Sequence, residues 1–347
     1  MKGRRITIKQ VARAAGVSTQ TVSRVLNDRP DVASDTRQRI QTIIENLGYR
    51  PSAVARSLIQ QRSDMLGVVT AGLKYIGPSR TLNGITSQVE RMGYSLLLKE
   101  LTRFDLNNLE PLFDSLLDRH VDGILWAVPE VGDNRAWVDD RIIELSIPIV
   151  FIQMKVRPSL HIVSFDQLQG GLLATQHLIQ QGRRRIGHVC GPLDWWEARE
   201  RRKGWEHALK EAGIEVLDKH WTEGNWSSAS GERAMLQLMR QYPEMDAVFV
   251  ANDQMALSAI LCAQRAGCRV PEDLAIVGFD GLPEAAYFSP PLSTIDQNQH
   301  ELGCSAVRLL IELIKSSRDG ETTEPSTIVL PPRLIRRESS GAEGESN

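Results

Sequence analysis

Over the first fifty residues apolar positions recur at helical spacing, and from about residue 63 they gather into short runs between amphipathic stretches. Ile40, Ile43, Ile44 and Leu47 fall at i, i+3, i+4 and i+7, which predicts a helix capped by Ser34 and ended by Gly48. Ahead of it, Thr7-Ile8-Lys9-Gln10 has the spacing of a capping box, and Val11, Ala14 and Ala15 supply the apolar face of a short helix. Gly16-Val17 interrupts that helix. Ser18 opens a second one, with Val22, Val25 and Leu26 facing inward. Two short helices about a Gly-containing turn make a helix-turn-helix, whose second helix enters the DNA major groove.

Farther along, the pattern predicts strands over 66–70, 94–98, 123–128, 149–152, 186–190, 247–250 and 275–278. Helical segments such as 81–92, 168–180, 199–212 and 254–266 lie between them. Strand–helix alternation implies parallel sheets covered on both faces, an α/β core. Roughly 275 residues is large for one such sheet, so two similar, doubly wound subdomains are expected. Ligands in open α/β sheets sit beyond the carboxyl ends of the strands, which here means the cleft between the subdomains.

Charge separates the same two regions. Residues 1–62 hold 12 Lys/Arg against 4 Asp/Glu, a balance of +8, while the rest of the chain carries −10, so the formal net charge of −2 conceals a cationic module on an anionic body. That distribution suits a chain in which one part touches a polyanion. On the second short helix Thr19, Gln20 and Arg24 project away from the apolar face. Their chemistry fits base edges: Arg to guanine, Gln to adenine, the Thr methyl to thymine.

With 41% hydrophobic and 24% charged residues the composition is that of a folded soluble protein, and no apolar run approaches the roughly 18 residues that would span a bilayer. MKGRRITIKQ has no apolar signal core, so a cytoplasmic location without membrane contact is expected. Cys190, Cys262, Cys268 and Cys304 are too sparse for a disulfide framework and lack metal-ligand spacing. There is no G-x-x-x-x-G-K-[ST], G-x-G-x-x-G or H-E-x-x-H motif and no Ser/His/Asp order, so no catalytic residue, cofactor or metal is expected.

Several polar and aromatic residues fall where a strand gives way to a loop: Asn252 and Asp253, Asp280, and, in segments after other strands, Arg201 and Trp226. Together they suit a sugar, because carboxylates, amides and Arg bind hydroxyls while an indole covers a C–H face. Taken singly each has an ordinary reading: a helix cap, a turn residue, a surface charge, a core tryptophan.

The run from Thr7 to Asn27, TIKQVARAAGVSTQTVSRVLN, resembles the headpiece of the lactose/galactose repressor (LacI/GalR) family of bacterial transcriptional regulators. The likeness continues through Gly48-Tyr49-Arg50-Pro51 and Ala55-Arg56-Ser57-Leu58, the family's hinge helix, and on to about Arg337. Val250–Leu257, Val277–Asp280 and Pro290–Ile295 resemble its effector domain, and Glu223–Ser227 and Ala198–Trp205 look like the lactose-responsive branch in particular.

The resemblance implies a headpiece over 1–50 and a hinge over 51–62. It further implies an N-terminal effector subdomain of 63–163 and 293–327, a C-terminal one of 164–292 and 328–340, and a disordered tail, 341–347. Crossovers are expected near residues 163, 292 and 327. The core would be periplasmic-binding-protein-like. DNA contacts would come from Thr7, Ser18, Thr19, Gln20, Thr21, Ser23, Arg24, Asn27, Ala55 and Leu58, with Leu58 wedging the centre of a pseudo-palindromic operator on double-stranded DNA. A small sugar effector would meet Tyr75, Gln153, Phe165, Arg201, Trp226, Asn252, Asp280 and Gln297, with Trp226 stacked on it and Phe165 packing the other side.

Three positions depart from the lactose-responsive pattern: Gln153 replaces an acidic sugar ligand, Gln299 an aromatic residue, and Tyr75 a smaller aliphatic one. The polar RRESSGAEGESN tail lacks the heptads of a tetramerising helix, so a homodimer is expected. The leading expectation is a sugar-responsive transcriptional repressor. A sugar-transport component and a sugar-modifying enzyme could use the same cleft; the first would call for a secretory signal and no DNA reader, the second for an acid and base flanking the substrate.

Overall fold

The computed structural model describes residues 6–26, 29–49, 62–104, 109–138 and 147–341, so Asn27, Ala55, Leu58, nearly all of the expected hinge and the last six residues lie outside the described part. The chain forms two compact units, Met1–Asp64 and Met65–Asn347.

In the first unit, α1 (Ile8–Ala15), α2 (Thr19–Leu26) and α3 (Ser34–Leu47) close around Val11, Ala12, Ala15, Val22, Val25 and Ile40. The Thr7 amide donates to Gln10 Oε1 at 2.8 Å, and Gly16, at φ 63°, turns the chain out of α1. Ser18 Oγ accepts from the Thr21 amide at 3.1 Å and so caps α2. Two expectations change. Ala14 is exposed and Ala12 is buried in its place, because the apolar stripe of α1 centres between Val11 and Ala12. Ser34 is the first residue of α3 rather than its cap, and its hydroxyl instead donates to Asp35 Oδ1 at 3.3 Å.

The second unit holds two six-stranded sheets. The first has the order β11-β5-β4-β3-β1-β2 and is parallel throughout, with β1 at Met65–Ala71, β2 at Ser95–Leu101, β3 at Gly123–Ala127, β4 at Ile149–Ile152, β5 at Ile162–Phe165 and β11 at Thr327–Leu330. The second, β12-β10-β9-β8-β6-β7, combines β6 (Ile186–Cys190), β7 (Trp221–Glu223), β8 (Ala247–Val250), β9 (Ala275–Asp280) and β10 (Ser293–Asp296) in parallel with an antiparallel edge, β12 (Arg333–Ile335). Helices α4 (Ile76–Arg91), α5 (Glu110–Leu117) and α10 (Gln299–Arg318) belong with the first sheet; α6 (Gln167–Gln180), α7 (Trp196–Glu211), α8 (Ser228–Gln241) and α9 (Asp253–Arg265) belong with the second.

The chain crosses between the sheets a few residues later than expected near 163, 292 and 327. β5 ends at Phe165, and β10 pairs with β9 in the second sheet, Ser293 opposite Val277. β11 then returns to β5, Thr327 opposite Ile162, before β12 leaves again. Pairing, rather than the apolar runs, fixes these points.

Each lobe brings two helices into near backbone contact through glycine. A Cβ on Gly204 would lie 2.2 Å from the Leu168 carbonyl oxygen, and one on Gly303 would lie 2.3 Å from that of Thr81. The first pair, α6 and α7, brings Gln167 and Arg201 together beneath the site.

Candidate functional site

Residues at the carboxyl ends of strands from both sheets converge on one pocket that is partly open to solvent. From the first lobe come Tyr75 after β1, Gln153 after β4 and Gln299 at the start of α10. The second lobe supplies Glu197 and Arg201 on α7, Trp226 after β7, Asn252 after β8 and Asp280 closing β9. Gln297 stands on the crossover after β10.

Its floor is a closed polar circuit. Arg201 Nε donates to Gln167 Oε1 at 2.8 Å, Gln167 Nε2 to Gln297 Oε1 at 3.0 Å, and Gln297 Nε2 to Asp280 Oδ1 at 2.6 Å. Arg201 Nη1 reaches the same Asp280 oxygen at 3.4 Å and also donates to the Ala251 carbonyl. The guanidinium lies 3.8 Å from the Phe279 ring centroid and 5.4 Å from that of Trp226. Burial pushes the Asp280 carboxyl above its ordinary pKa, and the Arg201 charge beside it pulls it back.

Of six non-glycine residues with positive φ among those described, Gln153 (54°), Trp226 (73°) and Asp280 (112°) line this pocket. Such strain persists only where the surroundings over-determine it, and it gathers at binding sites. Trp226 is held from two sides. Its carbonyl accepts from Asn252 Nδ2 at 2.9 Å, and its ring covers Gly191, where a Cβ would stand 2.1 Å from the indole. Asn252 also caps α9 through the Met255 amide at 2.9 Å, so the ordinary cap reading and a place in the site hold together. Gln153 spends its amide oxygen on the Phe165 amide, 2.9 Å away, leaving its NH2 group for a ligand.

On the headpiece, Thr7, Ser18, Thr19, Gln20 and Arg24 are exposed, and Thr21 and Ser23 half-buried, with the apolar residues of α2 turned the other way. Arg24 pairs with Asp31 at 3.4 Å across a half-exposed surface. Such a pair is worth at most about 1 kcal/mol and is easily given up.

Residues 7–52 match the family model described as bacterial regulatory proteins, lacI family, and residues 175–340 match a periplasmic binding protein-like domain. Repressors named PurR from Haemophilus influenzae are 35% identical over 334 residues, covering 96% of this chain and 98% of the relative. The chain belongs to the lacI family. Its structure resembles the Lac repressor dimer bound to operator and the anti-inducer ONPF, with a TM-score of 0.86 and 30% identity over 98% of this chain and all of that one. It also resembles the CelR–cellobiose complex, with a TM-score of 0.71 and 33% identity over 96% of this chain and all of that one. The chain is thus a DNA-binding transcriptional repressor of this family.

Within this lacI-family core one expected ligand contact sits elsewhere. Phe165 is 1% exposed and packs edge-on against Phe279, with ring centroids 6.3 Å apart, outside the pocket lining. β5 directs its side chain into the second lobe's core, so it forms no part of the pocket wall. Trp195, which no motif singled out, is the hub there, edge-on to Tyr75 at 5.3 Å, to Phe104 at 5.1 Å and to Trp226 at 5.8 Å. Gln167 and Glu197 were missed as well; a buried Gln at a helix start and an acid one turn before Arg201 were the available signals. Asp253 accepts from the Leu282 amide at 2.8 Å and the Thr294 hydroxyl at 2.6 Å, which makes it a brace for the Asp280 loop.

Proposed function

We propose that this repressor binds a pseudo-palindromic operator as a homodimer and is released by a small sugar, a β-galactoside first, held in the pocket between the lobes. The observation that carries this reading is the closed Arg201–Gln167–Gln297–Asp280 circuit beside the Trp226 indole. Each sugar hydroxyl both donates and accepts, which matches a carboxylate and a guanidinium placed side by side, and the indole suits the ring's C–H face. The Lac repressor and CelR structures named above carry the anti-inducer ONPF and cellobiose respectively, and the second supports a sugar as the ligand class. A flat purine base stacked on Trp226 is the second reading, favoured by the PurR relatives that match 96% of the chain.

Thr19, Gln20 and Arg24 would read base edges, with Thr7, Ser18, Thr21, Ser23 and Asn27 in support and Ala55 and Leu58 in the central minor groove. Leu257 and Leu261, 44% and 43% exposed and four residues apart on α9, offer an apolar face to a second copy. Because the ligand would touch both lobes, binding favours one lobe arrangement over the other, and that preference becomes the change in operator affinity.

A thermal-shift screen of the full chain against mono- and disaccharides and purine bases tests the assignment. A true effector at 100 times its Kd adds about 2.7 kcal/mol of stability. It should also release operator DNA in a gel shift. Stabilisation by purine bases alone would overturn the sugar reading, and tighter operator binding with sugar would make the sugar a corepressor.

A further inference from the structure

The circuit leaves part of the pocket's chemistry unused. Glu197 is 8% exposed, lines the pocket one helical turn before Arg201 and, among the described residues, has its own amide as a hydrogen-bond donor while Oε2 is buried without a partner. Gln299, 6% exposed and on the first lobe, also lines the pocket with a buried, unpartnered Oε1. Both orphans are acceptors. An unsatisfied buried acceptor is costly to leave so, and two of them facing one cavity point to donors arriving with the ligand.

We propose that Glu197 and Gln299 form a second polar pole of the pocket that accepts hydrogen bonds from the effector, so that the site selects a ligand with donor groups at both ends and holds it more tightly once Glu197 is ionised. This rests on the proposed function only in taking the pocket as the effector site, and it holds equally for a ligand that is not a sugar.

The ionisable groups that face Glu197 are Arg201 on its own helix and, from the first lobe beyond β3, Glu130 and Arg135. Burial outweighs the two arginines and lifts the Glu197 carboxyl to about 7, with Glu130 adding to the rise. A ligand O–H or N–H that donates to the carboxylate favours the ionised form and lowers that value on binding. Affinity is therefore highest well above pH 7 and falls, by at most tenfold per unit, as the pH drops through 7 and binding must expel a proton. Gln at this position accepts a hydrogen bond but does not titrate.

The experiment uses the full chain and tryptophan fluorescence, since Trp195 and Trp226 line the pocket. Lactose, cellobiose, methyl β-galactoside, hypoxanthine and guanine are titrated first. Whichever binds is then titrated from pH 5.5 to 8.5 against wild type, Glu197→Gln and Gln299→Leu, with thermal unfolding showing that each variant is folded. The expected result is a wild-type affinity that falls at least fivefold between pH 7.5 and 6, a flat profile for Glu197→Gln, and weaker binding with the wild-type pH profile for Gln299→Leu. Identical pH profiles for wild type and Glu197→Gln would overturn the proposal. If only the purines bind, the sugar reading fails, and the same comparison made with the purine still decides the role of Glu197.

Discussion

Gln167 touches no part of the pocket surface and is 1% exposed, yet its replacement should weaken effector binding. Its amide bridges Arg201 and Gln297 on the side of the circuit away from Asp280, through bonds of 2.8 and 3.0 Å. Gln167→Leu keeps the volume and removes both. The cost to folding comes in two parts: a hydrogen bond to a charged group, about 1.5–3 kcal/mol, and an orphaned Gln297 oxygen, about 1 kcal/mol. A loss of roughly 2.5–4 kcal/mol lies below the stability of most domains, so the variant should fold.

The effect on binding is separate. Arg201 keeps Ala251 and Asp280 as partners, but Gln297 loses the contact that fixes its oxygen, and Arg201 the one that orients Nε. Ordering two freed side chains when the ligand arrives costs about 0.5–1.5 kcal/mol each, a rise in Kd of roughly 5- to 150-fold. Fluorescence titration of wild type, Gln167→Leu and Gln167→Glu measures it. The glutamate variant can still accept from Arg201 but cannot donate to Gln297, so it should fall between the other two. A Gln167→Leu protein with a lower Tm and an unchanged Kd would refute the reasoning and reduce the circuit to core support.

Gly191→Ala should push the indole of Trp226 off its seat, seen as a changed Trp fluorescence spectrum and at least a tenfold loss of effector affinity; a spectrum and affinity like wild type would mean that Trp226 moves without consequence. Arg24→Ala should lose about 1–3 kcal/mol at a single operator base pair, and an equal loss on every sequence would assign Arg24 to the phosphates instead. Burial, with the Asp280 charge adding to it, lifts the Asp253 carboxyl from near 4 to about 8, so the folded chain keeps a proton that the unfolded chain has released. Stability should therefore fall as pH rises from 4 to 8, by at most about 1.4 kcal/mol per unit from this group, and Asp253→Asn should flatten that slope in urea unfolding; an unchanged slope would count against it.

The strands that the apolar pattern located to the residue, Ile149–Ile152, Ile186–Cys190 and Ala247–Val250, are central and fully buried, so both faces demand apolar side chains and the run equals the strand. β10 and β11 escaped the same reading for opposite reasons. Ser293 and Thr294 in β10 are buried polar residues whose hydroxyls bind Arg337 and Asp253, while Thr327–Val329 in β11 form an exposed edge. Neither presents an apolar run, and both are set by which strand they pair with. The late crossovers follow from that, since a chain switch is a fact about partners far away in sequence.

The site divides along the same line. Motifs in the sequence pointed to Arg201, Trp226, Asn252 and Asp280, which stand at strand or helix ends where topology alone directs polar groups toward a cleft. What makes those residues usable came from elsewhere. Gln167 meets Arg201 because two glycine-bearing helices touch, Trp226 lies flat because residue 191 has no side chain, and Asp280 faces the circuit from a φ of 112° that no residue type announces. Phe165 shows the converse: the motif supplied an aromatic at the right strand end, but the pleat of β5 turned it into the second core, and Trp195 at the start of α7 stands at the pocket wall instead. A residue's type and its strand end are local properties. The direction its side chain takes is fixed by packing across the sheet, which is why Arg201, Trp226, Asn252 and Asp280 were legible as pocket residues while Phe165 was misplaced and Trp195 went unread.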